Sequence, residues 1–400
     1  MPLSKQWLFS SLMTFYFLIF FTTIHAQVTD SSSMNGPEVR TFYSSVLGEK
    51  RKIIIQTPAR MNQFDAHPVL YVLDGEAQMQ MIGGQVEYLS EAYKIIPNLI
   101  VVGIENTDRT RDLTPTHSII GADGKPDTSV NSIGKNSGGG EKFLQFIHQE
   151  LMPWVDSAYH TAPFKILSGH SLGALMAVYC LLHHPDYFNA YIAISPSLQW
   201  DSNFMLHDFS SHPFTSTNRF LFFSDANEDA SFHQNQLELD SILHKKKYHG
   251  LIYKRNFYPD ETHISEPVKA FYDGIRFIYP DWHLPYNSSA FRKTMNSKII
   301  RDHFNELSKK YGYNVIPLHD DINQISRFLR NDPARIQDAI ELLEMNAINY
   351  PTSSTVQEIL GDTWLKAGDK TKASTAYKKA LQLNPSSSSV ADKLKNVSGK

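Results

Sequence analysis

A serine can act as a nucleophile where the chain lifts its hydroxyl clear of neighbouring bulk, and one short stretch of this sequence meets that requirement. It reads Gly169-His170-Ser171-Leu172-Gly173. The apolar run Phe164-Lys165-Ile166-Leu167-Ser168 precedes it, and Ala174-Leu175-Met176-Ala177-Val178-Tyr179 follows. That is a strand pattern running directly into a helix pattern. A sharp strand-to-helix turn needs residues without bulk two before and two after the serine, because the backbone folds tightly there. The same turn places the backbone N–H of Leu172 at a helix start, ready to donate to an oxyanion. The chemistry is acyl transfer through Ser171; the plain alternative is a glycine-rich turn that packs a helix on a strand.

A hydroxyl is a weak nucleophile, so a base must accompany it. In a sheet of this kind the chain order is serine, acid, histidine. The last strand pattern, Leu251–Phe257, is followed by Tyr258-Pro259-Asp260-Glu261-Thr262-His263. His263 therefore falls on a loop at the same sheet edge as Ser171. After the strand pattern Arg219–Ser224 come Asp225-Ala226-Asn227-Glu228-Asp229, three carboxylates in five residues. One of them should accept the histidine's ring N–H and stabilise the imidazolium. The others would be solvated or would cap the helix that starts near Ser231. Asp201 is a further option from the preceding strand end.

Other chemistries find little support. His183 and His184 are adjacent, so they point to different faces of a helix and form no metal pair, and no His-Glu-x-x-His occurs. Gly138-Gly139-Gly140 lacks the Lys-Ser/Thr of a phosphate loop. No metal and no cofactor are expected. The net charge is −3 and no run of Lys or Arg exceeds the three residues Lys245–Lys247, which argues against a nucleic-acid partner. A single cysteine, Cys180, rules out an intramolecular disulfide framework and cysteine-based zinc sites. It falls on the helix behind Ser171 and reads as a core residue.

The elements that must position these residues form an α/β pattern: a mostly parallel sheet with helices on both faces. Strands are expected at Arg40–Val46, Lys52–Gln56, Val69–Leu73, Leu99–Ile104, Phe164–Ser168, Ala190–Ser195, Arg219–Ser224 and Leu251–Phe257. Helical spacing marks Glu141–Tyr159, Leu172–His183, Ser231–Lys246 and Glu266–Ile278. The first two strands have no helix between them and should open the sheet antiparallel. Glu105–Gly140 is mostly polar and glycine-rich, and reads as a long functional or mobile loop.

The ends of the chain differ from its middle. An apolar run from Trp7 to Ile24 follows Lys5 and leads to Ala26, the pattern of an export signal over residues 1–26. An uncleaved membrane anchor is the alternative. With cleavage, the protein is periplasmic or extracellular and keeps no membrane span. Residues 27–282 are assigned to the hydrolase domain, 283–320 to a helical linker and 321–400 to helical repeats. The repeats rest on Leu360-Gly361, Trp364, Ala373, Tyr377, Ala380 and Pro385, a tetratricopeptide pattern. Thirty-four residues earlier lies a degenerate copy with Ala339, Leu343 and Pro351. Two repeats are too few for a free-standing array, so this tail should pack on the first domain or on a protein partner.

The sequence resembles the esterase D-type branch of the α/β-hydrolases, which includes siderophore and feruloyl esterases. The resemblance covers about residues 39–279. It rests on Val72-Leu73-Asp74-Gly75, Val102-Gly103-Ile104, Arg109-Thr110-Arg111-Asp112-Leu113-Thr114-Pro115, Gly169–Gly173 and Ile194-Ser195-Pro196-Ser197. With its helical tail the chain looks like secreted Bacteroidetes esterases. The resemblance implies a second oxyanion donor in the backbone N–H of Glu76 and favours Glu228 as the acid. Arg111 and Trp200 are the expected pocket residues; Trp200 follows Gln199 where relatives often carry an aromatic pair. The implied reaction is two-step hydrolysis of a small-molecule ester, whether a siderophore ester or a feruloyl or acetyl sugar ester. The alternatives are a serine peptidase, a cytosolic glutathione thioester hydrolase, and a non-catalytic scaffold whose tail binds a partner.

Overall fold

The structure, a computed structural model, describes residues 36–59, 61, 65–121, 124–216 and 218–399. The expected export signal lies outside them. Eight strands form one sheet: β1 Glu38–Ser44, β2 Glu49–Gln56, β3 His67–Leu73, β4 Ile100–Ile104, β5 Thr161–His170, β6 Ala190–Ile194, β7 Arg219–Ala226 and β8 Leu251–Tyr258. Their spatial order is β1-β2-β4-β3-β5-β6-β7-β8. β1 pairs antiparallel with β2 and β2 antiparallel with β4, while every later pair is parallel. All eight expected strands are present, and the antiparallel opening is as the sequence predicts.

Side chains alternate between the two faces of the central strands. On β3, Val69, Tyr71 and Leu73 enter one core, while Leu70 and Val72 enter the other. The first core is closed by α3 Gly140–Phe146, α4 Met152–Ala158, α5 Leu172–His183, α6 Trp200–Ser211 and α7 Ala230–Lys246. The second is closed by α1 Gly75–Glu87, α8 Pro267–Ile278 and α10 Ser297–Tyr311.

The structure departs from expectation in four places. Glu141–Tyr159 is one helical pattern in sequence but folds as α3 and α4 joined by a π turn at Ile147–Leu151. Pro153 in the first turn of α4 has no N–H to continue the ladder, and the widened turn absorbs that gap. Helices α1 and α6 went unread. α1 contains Gly83 and Gly84, and α6 opens on the left-handed residues Asp201, Ser202 and Asn203, so both lack helix-favouring composition. Within Glu105–Gly140 a short helix, α2 Arg109–Asp112, is capped by Asp108, and a 3₁₀ turn spans Ile133–Asn136.

Residues 283–320 do not bridge open space. α10 buries Leu307 and Tyr311 in the same core as Phe164 of β5, with the Tyr311 ring edge-on to Phe164 at 5.2 Å. Tyr311 Oη donates to the Ile278 carbonyl at 2.9 Å. The remaining helices are α9 Ser289–Thr294, α11 His319–Leu329, α12 Ile336–Asn349, α13 Ser354–Lys366, α14 Lys370–Leu383 and α15 Ser388–Ser398. Gly361 on α13 lies against the Tyr377 ring of α14, where a Cβ would come within 2.6 Å. The helical region docks on the hydrolase core through Lys94–Asp321 at 2.5 Å and Tyr350–Asp65 at 3.1 Å. No helix among the described residues is long and apolar enough to cross a membrane.

Because Tyr311 is inside the core beneath the sheet, Tyr311→Ala is expected to lower stability by about 3–5 kcal/mol. Urea unfolding of the full chain measures this; a cost under about 1 kcal/mol would show that α10 only rests on the surface.

Candidate active site

β4 lies on one side of β3 and β5 on the other, so the strand order reverses there, and in open α/β sheets the carboxyl ends at such a reversal, here those of β3 and β5, are the crevice position. Ser171 sits at that point, immediately after β5, with φ 61° and ψ −116°. This is a strained conformation for a residue with a side chain, worth on the order of 1–3 kcal/mol. The glycines make it possible. A Cβ on Gly169 would lie 2.3 Å from the carbonyl carbon and oxygen of Gly173, so the turn closes backbone on backbone. The Ser171 N–H donates to the Ile194 carbonyl at 3.0 Å, and its carbonyl accepts from the Ser197 N–H at 3.2 Å. The turn is thereby tied to the end of β6. The Ser171 hydroxyl lies 3.2 Å from that of Ser197.

His263 is brought beside this turn. Its ring stands 4.5 Å from that of His170 and 5.6 Å from Phe232. His170 Nε2 lies 2.8 Å from the His263 carbonyl. Burial and the neighbouring His263 hold the His170 pKa down, to about 4, so His170 is neutral and its Nε2–H can donate. No hydrogen bond joins Ser171 to His263. His263 Nδ1 is 2.9 Å from Glu228 Oε2, but the N–H axis is not aimed at it and Nδ1 has no aligned partner. The separation decides the pairing, because such bonds commonly tighten only when substrate is bound.

The three carboxylates after β7 take three different partners. Asp225 is wholly buried and pairs with Arg255 at 2.7 Å and with His233. Asp229 caps α7, accepting from the Ser231 N–H at 2.8 Å. Glu228 alone faces His263. Burial works to raise its pKa, but the adjacent His263 imidazole and the Ser195 hydroxyl outweigh burial and leave it below the usual value. Asp201 lies in the left-handed opening of α6.

The backbone N–H groups of Leu172 and Glu76 both belong to the first turn of a helix, α5 and α1, where no carbonyl of their own helix can accept from them. The two helices start side by side: a Cβ on Gly173 would be 3.3 Å from Asp74 Oδ2. Asp74, at φ 55°, precedes α1. Its carboxylate takes Arg109 Nε and Nη2 at 2.7 and 2.9 Å and Asn106 Nδ2 at 2.6 Å. Arg109 Nη2 also reaches the His170 carbonyl at 3.4 Å.

Arg111, expected in the pocket, is committed elsewhere. Its guanidinium binds Glu49 at 2.7 and 3.0 Å and Asp112 at 2.8 Å. Asp112 in turn holds Arg51, which is fully buried under the Phe143 ring. Two residues along a helix point to nearly opposite sides, so α2 gives Arg109 to the crevice and Arg111 to the fold. The Trp200 indole is half-buried, and its N–H donates to the Thr116 carbonyl and hydroxyl at 3.3 and 3.2 Å, tying the long loop to α6.

Sequence reasoning passed over two residues here. Ser195 turns at φ 46° after β6, and its hydroxyl bonds both Glu228 Oε1, at 2.7 Å, and Glu266 Oε2. Glu266 is wholly buried. Burial pushes its carboxyl up, the Ser195 and Ser224 hydroxyls oppose that, and Glu228 and Asp225 reinforce it, to about 7. A glutamate between two strand-end serines has no sequence signature; only the sheet register brings them together. The donors spaced for a metal ion among the described residues are His183, Asp208 and His212. His183 and Asp208 already satisfy each other at 2.5 Å, and none of the three bonds to Ser171, His263 or Glu228.

Gly169→Ala is expected to destabilise far more than Gly173→Ala, since the first drives a methyl into backbone and the second meets a contact of 3.3 Å. Thermal unfolding of the two variants measures the order, and a reversed order would contradict the turn geometry. Glu266 has a folded pKa above its ordinary 4.5. The stability it contributes is therefore full below about pH 4.5 and lost as pH rises through about 7, on the order of 3 kcal/mol. Glu266→Gln should remove that loss when urea unfolding at about pH 5 and about pH 8 is compared.

Comparison with known proteins fits this geometry. Residues 44–247 match the Putative esterase family. The chain is 31% identical over 190 residues to a ferri-bacillibactin esterase of Bacillus subtilis, covering 44% of this chain and 64% of that relative, just under two thirds. It is 25% identical over 263 residues to a siderophore triacetylfusarinine C esterase of Aspergillus fumigatus, covering 56% of this chain and 84% of the relative. The crystal structure of an IroE-like serine hydrolase from Shewanella oneidensis superposes with a TM-score of 0.66 at 28% identity, over 79% of this chain and all of that one. The chain belongs to the Putative esterase family, and its class is that of the carboxylic-ester hydrolases.

Proposed function

We propose that this protein is an exported serine esterase that hydrolyses a siderophore ester through a covalent acyl-enzyme, with Ser171 as nucleophile, His263 as base and Glu228 as acid. The observation that carries the reading is the convergence of three strand ends. Ser171 is held in a strained turn, His263 stands on the neighbouring loop, and Glu228 lies 2.9 Å behind its Nδ1. His263 takes the Ser171 proton as the oxygen attacks the ester carbonyl, and Glu228 stabilises the imidazolium. The N–H groups of Leu172 and Glu76 receive the tetrahedral oxyanion, each worth about 3 kcal/mol in the transition state. His263 then protonates the leaving alcohol, and water attacks the acyl-enzyme to release the acid. The siderophore assignment is supported by the names of the two esterase relatives, and export by the apolar run 7–24.

Ser171→Ala should lower kcat on a nitrophenyl ester by about 10⁵-fold or more with circular dichroism unchanged. Among Ala variants of Asp225, Glu228 and Asp229, Glu228→Ala should show the largest loss, about 10²- to 10⁴-fold. Turnover retained by Ser171→Ala would end the assignment. A panel of a catechol siderophore trilactone, a feruloylated arabinose and an acetylated sugar should favour the trilactone in kcat/KM; preference for either sugar ester would overturn the substrate reading.

A further inference from the structure

A serine hydroxyl carries one proton, yet Ser195 Oγ lies within hydrogen-bond reach of two carboxyl oxygens, Glu228 Oε1 and Glu266 Oε2. It can donate to one of them only. The other contact is a hydrogen bond only if that carboxyl brings a proton of its own. Glu228 has a histidine at its second oxygen, which favours its ionised form. Glu266 has no cation against it. It is wholly buried at the N-cap of α8, and its Oε1 has no aligned partner. The groups that face it are Asp225 from β7, Glu228 from the turn beyond, Tyr258 from the end of β8 and the hydroxyls of Ser195 and Ser224. Asp225 is itself engaged by Arg255 and His233. Every full charge facing Glu266 is negative, so the extra proton resides there.

We propose that Glu266 is a positioning residue for hydrolysis: as a neutral acid it donates to Ser195 Oγ, Ser195 donates to Glu228 Oε1, and Glu228 is thereby held with Oε2 toward His263. The proposal rests on the reading of Glu228 as the acid partner of His263. Loss of the Glu266 proton turns the Ser195 O–H toward Glu266 and withdraws the donor from Glu228. The burial of Glu266 raises its pKa to about 7, so this switch falls near neutral pH.

The test is kcat and KM on a nitrophenyl ester from about pH 5.5 to about pH 9.5 for the full-length wild type, E266Q, S195A and E228Q. Wild-type kcat should rise along the limb expected of general-base catalysis and then fall about three- to tenfold through a second ionisation, the scale of one hydrogen bond of ordinary net worth. E266Q keeps an N–H donor at every pH and should lack the fall; S195A breaks the chain and should lack it too, at a uniformly lower kcat. KM should be unchanged in both, because neither side chain touches substrate. A merely structural Glu266 would leave the shape of the profile as in the wild type, so a wild-type fall in both E266Q and S195A overturns the relay, as does a wild-type profile with no second ionisation. If E266Q does not fold, S195A alone decides. If E228Q keeps wild-type kcat, the reading of Glu228 fails and the relay with it. If E228Q is impaired while E266Q and S195A keep the fall, only the relay fails.

Discussion

Three neighbouring strands, β3, β5 and β6, each end on a non-glycine residue at positive φ: Asp74 at 55°, Ser171 at 61° and Ser195 at 46°. Such residues are costly, about 1–3 kcal/mol each, and they persist only where the surroundings over-determine them. Here the surroundings are the central, parallel part of the sheet, covered on both faces. Its central strands are buried throughout, and α5 behind Ser171 is buried on nearly every side. The sheet fixes where each strand ends, the helices fix how the chain must leave, and the strain collects at the rim between them. That rim carries the nucleophile candidate, the helix N-termini beside it and the serine that reaches the acid.

The electrostatics of the site follow from how burial is offset, group by group. Asp225 and Glu266 are both wholly buried, and burial raises both. Asp225 is compensated by a guanidinium and an imidazole, whereas Glu266 is met only by hydroxyls and other acids. Glu228 stands between these extremes, partly exposed and facing a histidine, and its pKa falls. One strand end thus holds carboxyls in different ionisation regimes, which is how a single fold separates structural from chemical duties. The same separation acts on α2, where Arg111 and Asp112 anchor the fold to β2 and Arg109 serves the crevice.

The helical C-terminal region is bound to this arrangement by shared core. Phe164 on β5 meets Tyr279 and Tyr311, and Tyr279 packs on Trp282. Two hydroxylated rings are buried there, and the Tyr311 hydroxyl finds the Ile278 carbonyl. In the helical region itself, small residues admit large ones: Gly361 and Ala373 are buried beside Tyr377. Asn346 on α12 is buried and hydrogen-bonded to the His319 carbonyl and Asn323. A polar residue at that point cements helices α11 and α12 instead of disrupting them.

The strands, α5, the turn at Ser171 and the placement of His263 were legible in the sequence because each is written in contiguous residues: alternation for a half-covered strand, unbroken apolar runs for a central one, glycines flanking a serine. α1 and α6 escaped because glycines and left-handed residues mask their period, and tertiary packing decides them instead. Residue types and strand order alone left Asp225, Glu228, Asp229 and Asp201 open, and only the family resemblance favoured Glu228. The fold distinguishes Asp225, Glu228 and Asp229, because their partners, Arg255, His263 and Ser231, come from different elements. Arg109 and Arg111 are likewise equal in sequence and opposite in structure. The pairing of Glu266 with Ser195 had no signal, although Ser195 stands in a motif of the resemblance, since the two are 71 residues apart and meet through the parallel register of β6, β7 and β8. Local backbone chemistry determines where a nucleophile can stand; what surrounds it depends on strand order, and strand order is not local.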